Sequence, residues 1–349
     1  MLLIGIRIYK NPGLSKVTIV PAMVTAKQES IIVTGISRMR TYTLAATLVA
    51  ALAACINPAH AGEPAESPGA RTDAAPKQEI RLERLTPEYW RVTLDNPPFN
   101  IFGPETIPQL NSVIAQIETD PKVKVVVFQS AVPGFFLTHY DFIPPLSATT
   151  DIPAGVTGLP ALPDMLVRLS RAPVVSIVSI RGRATGVGSE LSLASDMRFA
   201  SREKAVLSQW EIGAGLVPGG GPMARLPRLV GRGRALEVLL SGEDIPGDLA
   251  ERYGYVNRAL PDAELDQFVD MLARRIAGFD KQVIAAIKRL VDIPTLPPDI
   301  EIAAEWDAFL TSAHRPQPRQ NLKRLLEMGL QTKPDVEKRL PFYTGTLAQ

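Results

Sequence analysis

Two glutamates are the residues in this chain whose surroundings first suggest chemistry. Glu190 falls in the run Gly186-Val187-Gly188-Ser189-Glu190-Leu191, where a Gly-rich turn opens a helix, and Glu211 follows Ser208-Gln209-Trp210 just before a second Gly-rich turn. A pair of carboxylates can divide acid and base roles when burial moves their pKa values toward neutrality. The glycines of the first turn permit a close backbone bend, and the free N–H groups of the helix start stabilise negative charge close to them. A third strip, Gly134-Phe135-Phe136-Leu137-Thr138-His139-Tyr140-Asp141-Phe142, brings an apolar strand end up to polar residues. A backbone N–H there could supply the other half of an oxyanion site. Residue types alone favour plainer roles: Glu190 capping its helix, Glu211 a solvated loop residue, Asp141 the N-cap of a short helix and His139 a surface residue.

Other chemistries have less to stand on. Neither G-x-G-x-x-G nor a Walker lysine is present, and a carboxylate in the first helical turn would repel a pyrophosphate. No G-x-S-x-G elbow exists, and Ser189 has no identifiable His or Asp partner, which disfavours a serine hydrolase. Thirty-eight Lys+Arg against 36 Asp+Glu leave a charge of +2, too balanced for a nucleic-acid partner. One cysteine, Cys55, cannot form an internal disulfide, and His60, His139 and His314 lie too far apart in sequence to suggest a metal cluster. With 46% hydrophobic and 21% charged residues, the composition is that of a soluble globular chain.

The elements that must position these residues alternate. Residues 91–94 read as a half-buried strand ended by Asn96-Pro97-Pro98, residues 104–118 as a helix and the β-branched run 123–128 as a buried strand. A Pro-rich loop at 143–163 precedes a helix at about 162–170 and a strand at 174–180. The turn at 182–188 then opens a helix over 189–195, and a strand follows at 197–200. Such alternation predicts α/β layers with parallel crossovers. From residue 224 onward the pattern is mostly helical, with segments at 234–240, 246–253, 262–278, 281–291, 300–311 and 320–328.

The N-terminal region has a different character. Residues 39–61 carry a short basic start, an apolar run and small residues at Ala59 and Ala61, the layout of a secretory signal peptide; residues 1–38 then read as an over-called start or a disordered segment. Leu52-Ala53-Ala54-Cys55 resembles a lipobox, so Cys55 is a candidate lipid anchor to the membrane, and cleavage after Ala61 is the alternative. The expected location is periplasmic or envelope-associated, with the cytoplasm as the alternative if the run is not a leader. Residues 62–78 read as a disordered tether, and residues 79–349 as one domain with a core to 265 and a helical region from 266.

Taken in order, the motifs resemble the enoyl-CoA hydratase/isomerase (crotonase) superfamily over residues 80–330. The resemblance rests on Asn96-Pro97 and on the strand entry at 120–128. Residues 136–142 stand at the F-x-A-G-x-D-L position and residues 181–196 at N-G-x-x-x-G-G-G-x-E-L-x-x-x-x-D. Residues 205–212 stand at A-x-F-x-x-P-E-I, residues 218–227 at P-G-x-G-G-x-x-R-L-P and residues 242–256 at the block that follows. The resemblance implies a crotonase-like ββα spiral with a C-terminal helical trimerisation region, and a homotrimer or dimer of trimers. It also implies an acyl-CoA thioester as substrate, with coenzyme A entering as part of that substrate and no separate cofactor or metal. Its oxyanion donors would be the backbone N–H groups of Thr138 and Val187, and its acid/base pair Glu190 and Glu211. Presence of both acids points to hydration or dehydration, ahead of isomerisation, thioester hydrolysis or decarboxylation.

Departures from the pattern concentrate near the acyl end. His139-Tyr140 stands where the family has a small pair, and Trp210 where it has proline, which makes His139, Tyr140 and Trp210 candidate pocket residues. The lysine usual just after the aspartate is replaced by Phe142-Ile143-Pro144-Pro145. With the leader, these changes keep a non-catalytic envelope binding module as the alternative to an enzyme.

Overall fold

A computed structural model describes residues 77–348. The expected leader at 39–61 with Cys55, the segment 1–38 and residues 62–76 of the expected tether lie outside the described residues. Among those described, no helix is long and apolar enough to cross a membrane.

Ten strands build two interleaved sheets. They are β1 (Ile80–Arg84), β2 (Tyr89–Leu94), β3 (Val125–Ser130), β4 (Phe135–Leu137), β5 (Val175–Ile180), β6 (Arg183–Thr185), β7 (Met197–Ser201), β8 (Val206–Ser208), β9 (Ile245–Pro246) and β10 (Arg258–Leu260). The larger sheet has the order β1-β2-β3-β5-β7-β10 and the smaller one β4-β6-β8-β9. Strands β2 to β10 of the larger sheet run parallel, with β1 antiparallel at its edge. The chain therefore visits the large sheet, then the small one, at β3–β4, β5–β6 and β7–β8. This is the spiral that the motif order implied.

The period-two alternation of the central strands explains why both faces are dry. Val126 and Phe128 of β3 and Val178 and Ile180 of β5 enter one core, while Val125, Val127 and Ile177 enter the other. Helices Thr106–Thr119 and Ala161–Arg171 cover the first core through Ile114, Ile117, Met165 and Leu169. Helix Asp262–Ala277 covers the second with Leu265, Val269 and Ala273, spaced to share one helical face. Each such large apolar side chain contributes about 1.5–3 kcal/mol on burial.

Several expectations shift on contact with the structure. The turn segments around 135, 184 and 207 are strands of three residues, too short to display an alternation. A one-turn helix, Ser147–Thr150, lies inside the Pro-rich loop. Asp141 caps no helix: its Oδ1 accepts from the Ile143 N–H at 2.9 Å and from Gln331 Nε2 at 2.6 Å. The C-terminal part is not purely helical either, because β10 completes the edge of the large sheet.

The last helices, Pro316–Met328, Pro334–Lys338 and Leu340–Gly345, fold back onto the functional half. Leu325, Leu330, Val336 and Leu340 share a core with Trp210, Ala214 and Leu216, and Phe142 packs against it. The loop that carries Glu211 and these last helices are thus one packing unit.

Candidate active site

Glu190 is held by the helix Val187–Ala194, which starts where β6 ends at Gly186. Gly186 has φ 55, a left-handed conformation that favours glycine, and a Cβ there would meet Glu211 Oε1 at 2.9 Å. This sharp entry brings the helix start against the strip that follows β4. The Glu190 side chain is buried, and its Oε1 accepts from the Gly220 N–H at 2.8 Å. A Cβ on Gly220 would lie 2.2 Å from Glu190 Oε2, so a larger residue there would displace the carboxylate. The buried Arg225 donates to the Gly220 carbonyl at 2.9 Å, bracing the turn from its other side.

Glu211 opens the 3-10 turn Glu211–Ala214. The residue keeps partial exposure, yet its Oε2 is sealed from solvent with no hydrogen-bond partner. Burial pushes Glu190 up to about 7 against the pull of the Gly220 N–H and Arg225. Burial, and then the negative charge of Glu190, hold Glu211 well above the carboxylate range. Two acids so placed cannot both ionise cheaply. Glu190 has the Gly220 N–H and the Arg225 guanidinium to stabilise its anion, whereas Glu211 has only its own backbone N–H; the pair therefore favours a Glu190 carboxylate beside a protonated Glu211. The solvated-loop and simple-cap readings are corrected by this burial.

Both acids line a narrow cavity of about 50 Å³, together with His139, Tyr140, Val187, Thr149 and apolar residues including Phe142, Leu216 and Trp306. The oxyanion expectation needs one correction. The Thr138 N–H donates to the Asn100 carbonyl at 3.0 Å, its hydroxyl donates to the Phe99 and Asn100 carbonyls, and Thr138 does not line the cavity. Its amide is already used. One residue on, the His139 carbonyl accepts from the Phe102 N–H at 3.1 Å. Because a trans peptide points its C=O and N–H in opposite directions, the Tyr140 N–H faces away from Phe102, and among the described residues it finds no acceptor. Val187, first residue of its helix, likewise has no intrahelical acceptor, while the flanking Gly186 and Gly188 amides bond to the Ser208 and Thr138 carbonyls.

His139 is not a surface residue. Only 1% exposed, it directs Nδ1 to the Tyr140 carbonyl at 2.7 Å and Nε2 to Glu337 Oε2 at 3.1 Å. Its ring stacks on Phe142 and meets Trp210 edge-on at 5.3 Å. Trp210 is fully buried in the C-terminal core and does not line the cavity, so it supports His139 and Phe142 from behind rather than touching a ligand. Ser189 is bonded to Tyr255, away from any base.

Residue types gave no hint of Glu337, Gln331 or Glu305. Glu337 accepts from the Gln331 N–H at 2.6 Å as well as pairing with His139, and the Gln331 side chain accepts from the Phe142 N–H at 2.8 Å. Glu305 accepts from the Met223 N–H at 3.1 Å, and burial raises it to about 7. Burial lowers Arg225 to about 10, opposed by Glu305 and Glu190, so it stays charged at neutral pH. Glu337, Gln331 and Glu305 all lie far along the chain from the motifs.

Comparison with known proteins agrees with this geometry. The family model for enoyl-CoA hydratase/isomerase matches residues 89–331. A probable enoyl-CoA hydratase of Mycobacterium tuberculosis is 32% identical over 216 residues, covering 60% of this chain and 75% of the relative. A crotonyl-CoA hydratase of Syntrophomonas wolfei is 30% identical, covering 60% and 80%. Among solved structures, a candidate enoyl-CoA hydratase of Streptomyces avermitilis superposes with a TM-score of 0.74 at 39% identity, covering 78% of this chain and 98% of its own. The chain belongs to the enoyl-CoA hydratase/isomerase family and is an enzyme of the crotonase type.

Proposed function

We propose that this enzyme adds water across the α,β double bond of an acyl-CoA thioester, or removes it in reverse. The observation that carries the reading is the unequal pair on one cavity: Glu190 with the Gly220 N–H and Arg225 beside it, and Glu211 with an unpartnered Oε2. In the hydration direction Glu190 takes a proton from water as its oxygen bonds to Cβ. Charge passes to the thioester oxygen, held by the Tyr140 and Val187 N–H groups, and Glu211 delivers a proton to Cα. Each such amide is worth roughly 100- to 1,000-fold in rate. The product is the 3-hydroxyacyl thioester. Double-bond migration moves one proton between carbons and leaves the second acid without a task, so two acids favour hydration.

The coenzyme handle has a route despite the missing lysine. A groove continuous with the cavity runs past Tyr140, Phe142 and Leu216 to Arg319 and Lys323, two cations suited to phosphates. A homotrimer is supported by helix Lys281–Thr295, whose Val283, Ile287, Leu290 and Val291 form an exposed apolar stripe. Export through residues 39–61, with or without lipid at Cys55, is part of the same proposal. Intact-mass measurement of the protein from fractionated cells tests it, and an unprocessed cytoplasmic chain would refute it.

The test of the activity is incubation with a panel of enoyl- and acyl-CoA thioesters, with products identified by mass. Gain of one water by an enoyl thioester is the expected result. Release of free coenzyme A, loss of carbon dioxide or an unchanged mass would each overturn it; at unchanged mass, a shifted double bond would mean isomerisation and an unaltered thioester a binding role.

A further inference from the structure

The walls of the cavity are mostly apolar and aromatic apart from the acids and His139, yet two further residues that form them each carry a buried hydroxyl with no partner. Thr149 is only 5% exposed, lines the cavity from the one-turn helix Ser147–Thr150, and its Oγ1 makes no hydrogen bond. Tyr140 lines the same cavity, and its Oη is sealed from solvent without a partner. Leaving a hydroxyl in such a position costs roughly 1–3 kcal/mol each. Neither hydroxyl has a role in the proton transfers, which use carboxylates and backbone amides. Among the described residues lining this cavity there is no lysine or arginine, and burial first, then Asp141 and Glu105, disfavour negative charge at the Tyr140 phenol. His139, the other basic group on the wall, is engaged by Glu337.

We infer that the acyl group carries an uncharged oxygen function, a hydroxyl, ether or ketone, beyond the reacting carbons, and that Tyr140 Oη and Thr149 Oγ1 recognise it. This rests on the thioester reading of the same site. A purely aliphatic chain leaves both hydroxyls buried and unpaired, and a carboxylate-ended chain finds the one cation on the wall, His139, already paired with Glu337. Hydroxyls that pair with substrate discriminate far more strongly than an apolar wall does, up to about 10,000-fold or more.

The experiment compares straight-chain trans-2-enoyl-CoA thioesters with counterparts bearing a hydroxyl at C4, C5 or C6. It uses the full chain, Tyr140→Phe and Thr149→Val, and reads kcat/KM for each. Calorimetric binding of the corresponding saturated acyl-CoA esters runs in parallel. Expected is a preference of about 100-fold or more for at least one hydroxylated member, reduced about tenfold or more by either substitution. Equal kcat/KM and equal binding for plain and hydroxylated esters overturn the inference while leaving hydration intact. Preference surviving both substitutions also overturns it. Preference seen in binding, with no hydration of any enoyl ester, supports the inference and overturns hydration instead.

Discussion

His139 Nε2 and Glu337 Oε2 lie 3.1 Å apart, both buried, and join two segments 198 residues distant in sequence. The Tyr140 carbonyl is an acceptor only, so Nδ1 must carry a hydrogen; a Glu337 carboxylate then requires a second hydrogen on Nε2. Burial opposes the charge on His139, but Glu337 overcomes it and raises its pKa above the ordinary 6.5. Burial likewise opposes ionisation of Glu337, and His139 overcomes it and lowers its pKa below 4.5. The pair ties the terminal helices to the backbone that presents the Tyr140 amide.

This linkage sets a pH window for stability. The raised histidine contributes stability in full below about 6.5 and loses it as pH rises through the higher folded value; the lowered glutamate contributes above about 4.5 and loses it as pH falls through the lower one. Asp141 and Arg183 also face the pair and reinforce the two shifts. Glu337→Ala, which strands a buried cation, is expected to cost about 3–5 kcal/mol near pH 6, with a smaller difference at alkaline pH. Denaturant titration across pH reads this, and a pH-independent difference would contradict the assigned charges.

The acids of the cavity have the opposite relation to stability. A carboxyl raised from 4.5 to about 7 destabilises the fold progressively as pH climbs between those values, because the unfolded state ionises first. Glu211→Gln and Glu190→Gln should therefore lower turnover by roughly 100- to 10,000-fold while holding or raising the melting temperature at neutral pH. Loss of activity accompanied by marked destabilisation would make these residues structural.

The same pair should shape the rate profile. kcat/KM is expected to rise as pH passes through about 7, where Glu190 ionises, and to fall at higher pH, where Glu211 gives up its proton. Glu211→Gln should retain a residual rate without the alkaline limb. A flat profile between about pH 5 and 9 would show that neither acid controls the reaction.

Gly220→Ala probes positioning without touching an acid. The new Cβ would sit 2.2 Å from Glu190 Oε2, and the carboxylate would have to leave its N–H donor. A fall in kcat of about 100-fold, with KM little changed, is expected. Ordinary kcat would mean that the donor is dispensable.

What the sequence made legible follows the range of each signal. Glu190 and Glu211 sit in local motifs whose glycines and flanks are contiguous, so the family resemblance could be seen there and implied their pairing; the β-branched run of β3 was readable because it too is contiguous. Tyr140 against Thr138 was not, because the choice between nearby amides depends on which way each peptide plane turns. That orientation is fixed by Asn100 and Phe102, on another segment. Burial of His139 and the role of Glu337 were hidden because the partner comes from the last helices. Strands β4, β6 and β8 are too short to carry a period.

The most direct measurement is a single-turnover reaction of a trans-2-enoyl-CoA in deuterated water, with product deuterium located by mass spectrometry and NMR. The account predicts one deuterium on Cα and a new hydroxyl on Cβ, both appearing roughly 100- to 10,000-fold more slowly in Glu190→Gln and Glu211→Gln. Wild-type rates in either variant, or deuterium on Cα without oxygen on Cβ, would contradict it.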